Sequence, residues 1–187
     1  MKAQLASITK SIGLGKVNQA GIVVKDIGKA MRYYKRIFGI GPWYRGRGDE
    51  KGKVVYRGRE VEVELDIAFA FCGGVQVELI QTKGRDPNIY SEQLERSGEG
   101  LHHLGFFVTE IEKKLASLRG AGVEPLQSGV IKSGKAVVKY AYLDTAGTGG
   151  VILELIDTTL MGVPLKMSRF TTEVGCLLGD AEKISLD

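Results

Sequence analysis

The chain of 187 residues has little cysteine, no long apolar run and no recognised nucleic-acid-binding motif. Its two cysteines, Cys72 and Cys176, lie far apart without CxxC spacing, which is typical of reduced, idle thiols. No apolar stretch reaches the length of a membrane span, and residues 1–16 lack the apolar core of a signal peptide. We therefore expect a soluble, cytoplasmic protein that binds neither membranes nor nucleic acid.

The net charge of +4 is modest, and basic residues concentrate in one stretch only. That stretch contains Arg45, Arg47, Lys51, Lys53, Arg57 and Arg59. Two interpretations stay open: a solvated loop between elements, or a contact for an anionic ligand such as one that bears phosphate.

The chain contains two copies of one pattern, because residues 18–24 recur as residues 102–108 and residues 75–80 recur as residues 151–156. Each copy predicts the order β-α-β-β-β, which indicates an α+β fold. We predict a first module over residues 17–82, a second over residues 101–157 and a C-terminal arm over residues 158–187. The first module is the longer, and we place its extra residues in the loop around residues 46–52.

Helix signals follow the first strand of each copy. Asp26 is a good N-cap, and Gly39 stops the first helix. The apolar face of that helix is predicted to comprise Ile27, Ala30, Met31, Tyr34, Ile37 and Phe38. In the second copy, Thr109 and Glu112 form a capping-box pattern.

One polar residue interrupts each of four apolar strands. Gln19 in the first copy is equivalent to His103 in the second, and Glu78 is equivalent to Glu154. A solvent-exposed strand face would explain each residue alone, but a pseudo-twofold pairing would bring all four to one centre. Two carboxylates, an imidazole and an amide oxygen suit a divalent ion with open positions for a substrate or water. Zinc, nickel, cobalt, manganese and magnesium all remain candidates.

These segments resemble the vicinal oxygen chelate superfamily, which includes glyoxalase I, methylmalonyl-CoA epimerase, extradiol dioxygenases and bleomycin-resistance proteins. The resemblance rests on residues 19–26, 77–79, 100–104 and 153–155. It implies that paired βαβββ modules form one glyoxalase-like domain with a metal-binding cup. It also implies that Gln19, Glu78, His103 and Glu154 are the metal ligands.

Departures from the patterns of individual families narrow the activity. Gln19, where extradiol dioxygenases have a histidine, argues against that chemistry, and the complete ligand set argues against pure sequestration. Residues 98–103 and the overall spacing resemble methylmalonyl-CoA epimerase, although Gln19 replaces the usual histidine there too. Val23 stands where glyoxalase I would have an arginine. The resemblance therefore implies an epimerase acting on an acyl-CoA thioester, with lactoylglutathione lyase and a small-molecule binding protein as alternatives.

Both enzymatic alternatives require a base that forms an enolate from a carbonyl or thioester substrate. We assign Glu154 as ligand and acid–base group. Glu60, Glu62 and Glu64 share one face of a strand, and either Glu62 or Glu64 is our candidate for a second base. We also expect a homodimer, in which the modules pair within one chain or between two chains.

Overall fold

The structure, a computed structural model, describes residues 12–46 and 51–186. Its strands are β1 (Gln19–Val23), β2 (Trp43–Gly46), β3 (Lys51–Tyr56), β4 (Arg59–Cys72), β5 (Val75–Thr82), β6 (Gly100–Phe107), β7 (Pro125–Ser133), β8 (Ala136–Leu143), β9 (Ile152–Leu160), β10 (Val163–Pro164) and β11 (Ala181–Ile184). Its helices are α1 (Ile27–Phe38), α2 (Ile89–Arg96), α3 (Ile111–Gly120), α4 (Ala146–Gly149) and α5 (Arg169–Leu178). None of these helices is long and apolar enough to cross a membrane.

Within the described ranges the strands form one mixed sheet that closes on itself. The order β4-β3-β7-β8-β9-β6-β1-β5 returns to β4 because β4 and β5 also pair. The result is a barrel-like cup, which confirms the predicted fold class. Strands of both copies meet within one chain, at β1–β6 on one side and at β3–β7 on the other.

Equivalent strands of the two copies pair in the same way. β1 is parallel to β5, β6 is parallel to β9, and β1 and β6 are antiparallel neighbours. The inward positions of these four strands therefore lie side by side in the middle of the sheet. The module boundaries themselves stay a prediction, and residues 47–50 of the loop expected to hold the extra residues lie outside the described ranges.

Helix α1 packs on the outer face of the sheet. The side chain of Asp26 accepts a hydrogen bond from the amide of Lys29 at 2.9 Å, and Gly39 ends the helix with φ of 66°, as predicted. Ile27 and Met31 are buried with alanines of β4 and Leu79 of β5. The prediction was wrong at the last turn, because Ile37 and Phe38 point to solvent.

Helix α3 packs on the same outer surface, against β8 and β9, through Ile111, Leu115 and Leu118. Its predicted capping box is wrong. Glu110 precedes the helix with φ of 55° and no side-chain cap, and the amide of Ile111 instead donates to Oδ2 of Asp157 at 3.0 Å. A buried carboxylate on β9 thus caps the start of the helix in place of Thr109.

β7 is the strand of the second βαβββ module for which the sequence prediction specified no residues. Helix α2 has no counterpart among the predictions, because it lies in what was expected to be a linker. The side chain of Asn88 caps α2, whose Ile89 and Tyr90 are buried in the core that fills the closed end of the cup. The hydroxyls of Tyr90 and Tyr142 are 2.9 Å apart, which ties α2 to β8.

Candidate metal centre

The sheet places the four predicted ligands in two adjacent rows. In one row Glu78 and His103 flank Gly21, which is paired with both of them. In the next row Gln19 and Glu154 flank Gly105 in the same way. Because side chains on a sheet alternate between faces, all four side chains project into the cup.

His103 is the centre of this group. Its Nε2 lies 3.0 Å from Oε2 of Glu154, 3.2 Å from Oε1 of Gln19 and 3.7 Å from Oε2 of Glu78. His103 is completely buried, Glu154 and Gln19 are nearly so, and the side chain of Glu78 keeps 15% of its surface exposed. The structure therefore brings together Gln19, Glu78, His103 and Glu154.

Two glycines make this approach possible. A Cβ on Gly21 would overlap the imidazole of His103, and a Cβ on Gly105 would lie 2.7 Å from Oε1 of Gln19. His103 thus lies over Gly21, and Gln19 lies over Gly105. Gly21 and Gly105 are equivalent positions of the repeat, so these two glycines are a second sequence signal for the site beside the four polar residues.

A second layer of side chains orients the first. Nε2 of Gln19 donates to Oε1 of Gln76 at 2.8 Å, which leaves the amide oxygen of Gln19 to face His103. Nδ1 of His103 and Nδ1 of His102 are 2.9 Å apart, so the two rings share a hydrogen bond away from the ligand group. Such contacts set ligand orientation and basicity at metal sites.

Burial and mutual proximity shift the pKa values in this group. Burial, and then the charge of Glu154, raise the pKa of Glu78 to about 7. Burial alone would lower the pKa of His103, but Glu154 and Glu78 together raise it above the ordinary value. Burial and the neighbouring His103 lower the pKa of His102 to about 3, so His102 is neutral near pH 7.

The donor set fits a divalent ion. In octahedral coordination at about 2.1 Å, neighbouring ligand atoms lie about 3.0 Å apart, close to the separations of Nε2 from Glu154 and Gln19. Oε2 of Glu154 is buried and has no aligned hydrogen-bond donor, although Nε2 of His103 is near it. In the described ranges, no group of three or more His, Cys, Asp or Glu side chains has the spacing that would hold a metal ion. The side chains contact one another directly, so an ion would replace the protons between them.

The structure does not bring Glu62 or Glu64 to this group. On β4 the buried Val63 and Leu65 line the cup, so the alternation of the strand turns both glutamates to the outer face. Glu62 is exposed there, and Glu64 is half-buried. The shared face of the glutamates was foreseen, but strand periodicity alone does not say which face lines the cup.

The cup encloses a cavity of about 420 Å³, a size common for small-molecule sites. Gln19, Gln76, Glu78 and Tyr140 form its polar floor, directly over the buried His103 and Glu154. Its walls are mainly apolar and include Val54, Val63, Leu65, Val138 and Ile156.

Part of the basic stretch reaches this cavity. Arg45 and Lys53 line it, and Lys132 from β7 joins them. Arg57 instead pairs with Glu92 at 3.0 Å, outside the cavity. Arg47 lies outside the described residues, and so does the side chain of Lys51.

Comparison with known proteins agrees with this geometry. A sequence profile described as the glyoxalase/bleomycin resistance protein/dioxygenase superfamily matches residues 18–142. The chain belongs to this superfamily, which confirms the resemblance noted in the sequence.

Among curated relatives, the uncharacterized protein YqjC of Bacillus subtilis is 25% identical over 144 residues, covering 77% of this chain and 93% of the relative. The mitochondrial methylmalonyl-CoA epimerase of Homo sapiens is 27% identical over 152 residues, covering 81% and 79%. Among solved structures, a variant of Streptomyces coelicolor methylmalonyl-CoA epimerase in complex with 2-nitronate-propionyl-CoA has a TM-score of 0.52 and 19% identity, with 82% of this chain and 100% of that chain covered. The solved structure supports the fold alone.

Proposed function

We propose that this protein is a divalent-metal-dependent epimerase that forms an enolate from an acyl-CoA thioester, as methylmalonyl-CoA epimerase does. The observation that carries the proposal is the convergence of Gln19 and Glu78, at the floor of a cavity, with His103 and Glu154 buried directly beneath them. The human relative named as a methylmalonyl-CoA epimerase supports the substrate class.

The four converging residues, Gln19, Glu78, His103 and Glu154, would hold the ion. A divalent ion bound there supplies electrophilic stabilisation of negative charge on the thioester oxygen. The chain's own residues position the thioester and exclude water, because the apolar walls surround the floor.

Glu154 and Glu78 transfer the protons in this proposal. In our proposal one oxygen of Glu154 takes the α-proton from one face of the substrate, and Glu78 returns a proton to the other face. Glu78 replaces Glu62 and Glu64 as the second acid–base group, because it lines the cavity and they do not.

The direct test is deuterium uptake from heavy water into methylmalonyl-CoA, followed by mass spectrometry with metal-loaded protein. We expect exchange at the α-carbon, a loss of about 100-fold or more in Glu154→Gln, and no change in the matched control Glu62→Gln. Turnover of the glutathione–methylglyoxal adduct alone would instead identify a lactoylglutathione lyase. Tight ligand binding by metal-free protein without any exchange would identify a binding protein.

A homodimer, a cytoplasmic location and a phosphate contact through the basic stretch stay predictions from the sequence. Arg45 supports the last, because it lines the cavity and could meet the phosphates of a coenzyme A group at its mouth. Nζ of Lys53 is instead paired with Oε1 of Glu60 at 2.7 Å.

A further inference from the structure

The roof of the cavity comes from the part of the chain that follows β10. Its lining residues are Leu165, Met167, Thr171, Thr172, Gly175, Asp180 and Ala181. This segment lies beyond residue 142, where the match to the superfamily profile ends. The match to the superfamily profile thus does not include the roof.

Both halves of the cup hold the roof in place. β11 pairs antiparallel with β2 of the first half, and Oγ of Ser133 on β7 donates to the carbonyl oxygen of Asp180 at 2.7 Å. The amide of Lys135 donates to Oδ1 of Asp180 at 3.0 Å. These contacts fix α5 over the cavity.

Helix α5 exposes its large apolar residues and turns small residues inward, unlike a helix that covers a hydrophobic core. The large apolar residues Phe170, Leu177 and Leu178 are exposed by 74%, 87% and 66%. The small residues Thr172 and Gly175 face the cavity instead. A helix that only closed a core would bury its large apolar side chains, so the inner face of α5 is shaped for a ligand.

Thr172 is the distinctive residue on that face. It is 4% exposed, and its hydroxyl oxygen is buried without a hydrogen-bond partner. Leaving a buried hydroxyl unpartnered destabilises a protein. An oxygen atom of a bound ligand would supply the missing partner.

We propose that Thr172 is a substrate-binding residue whose hydroxyl donates a hydrogen bond to a carboxylate on the acyl group of the thioester. This inference rests on the proposed function and adds a preference of the site for acyl groups that carry a carboxylate. The apolar walls would accept a plain alkyl acyl group equally well, but such a group leaves the hydroxyl unpartnered. A site built to hydrogen-bond a polar group discriminates against the analogue that lacks it.

The test is equilibrium binding by calorimetry of methylmalonyl-CoA and of propionyl-CoA, which lacks the carboxylate, to the full-length, cobalt-loaded protein. We expect Thr172→Val to weaken methylmalonyl-CoA binding about tenfold and to leave propionyl-CoA binding within about twofold. Thr172→Ser keeps the hydroxyl and should restore the wild-type preference. Thr159→Val, which removes a half-buried hydroxyl outside the cavity lining, is the matched control.

Thermal stability separates a binding role from a structural one. Since the hydroxyl has no partner in the protein, Thr172→Val should melt at the same temperature as the wild type or higher. Unchanged binding of both thioesters in Thr172→Val would overturn the role of Thr172 while the proposed function stands. An equal loss of both, with a lower melting temperature, would also overturn it. If the wild type bound neither thioester, the proposed function itself would fail.

Discussion

Glu78 and Glu154 occupy equivalent positions in the two halves of the sheet, yet their surroundings differ. Glu154 is 4% exposed and lies 3.0 Å from Nε2 of His103, whereas Glu78 is 3.7 Å away and lines the open cavity. The backbone of the site is thus nearly symmetric, and its side-chain environments are not. Because of such asymmetry, one carboxylate of an equivalent pair can be a firmly held ligand while the other exchanges more readily.

The largest expected effect comes from removing either carboxylate charge. We expect Glu154→Gln to weaken cobalt binding by about 100-fold or more, because it also removes the carboxylate nearest to buried His103. Glu78→Gln should weaken it by only about tenfold, since water from the cavity can replace the lost oxygen. Calorimetric titration at pH 7.5 measures both, with Glu62→Gln as the control. Equal losses in the two variants would show that the difference in burial does not matter.

The glycines permit a second comparison between the halves. Gly21→Ala should lower the free energy of unfolding by about 1–3 kcal/mol and displace His103, because the new methyl group meets a ring held by packing on all sides. Gly105→Ala should also destabilise the fold but cost less, since its methyl group would lie 2.7–2.9 Å from atoms of Gln19 and Ile156, whereas that of Gly21→Ala would lie 1.9 Å from the ring of His103. Chemical denaturation measures both.

Gly120→Ala is the matched control for the glycine series, because its methyl group would meet no atom within 4 Å. We expect it to be neutral or slightly stabilising. A Gly21→Ala variant as stable as Gly120→Ala would contradict the close approach of His103 to the backbone.

A further expected effect is a pH dependence of metal binding. The raised pKa values mean that folded, metal-free protein retains protons on Glu78 up to about pH 7 and on His103 above its ordinary pKa. These two groups therefore stabilise the metal-free fold at lower pH, and their contribution is lost as pH rises through the folded pKa values. His102 opposes this trend in absolute stability, since its pKa is lowered to about 3, but it stays neutral between pH 5.5 and 8 with or without an ion.

Because an ion displaces the protons on Glu78 and His103, cobalt affinity should rise from pH 5.5 to 7.5, by about tenfold for each proton displaced per pH unit. The rise in melting temperature on adding cobalt should grow in parallel, as scanning calorimetry at several pH values would show. Glu78→Gln should flatten the dependence by removing one of the two protons. A metal-induced shift that is constant or larger at low pH would contradict the assignment.

Much of this centre was accessible from the repeat. Aligning the two copies equated Gln19 with His103 and Glu78 with Glu154, and a paired sheet then required the four to converge. Glu62 and Glu64 were misplaced because period-two alternation identifies which residues share a face but not which face lines the cup. The cap of α3 was also missed, since its acceptor, Asp157, lies far along the chain from the amide of Ile111.

The sequence by itself determined the superfamily, the pseudo-twofold arrangement and the identity of the four converging side chains, because these follow from local strand patterns present in both copies. Only the tertiary structure decided which glutamate is more deeply buried, which strand face lines the cavity and that α5 forms its roof. Those properties depend on contacts between distant segments, such as β11 with β2 and Asp180 with Ser133. Periodicity within a segment carries no information about the partners that such contacts bring to it.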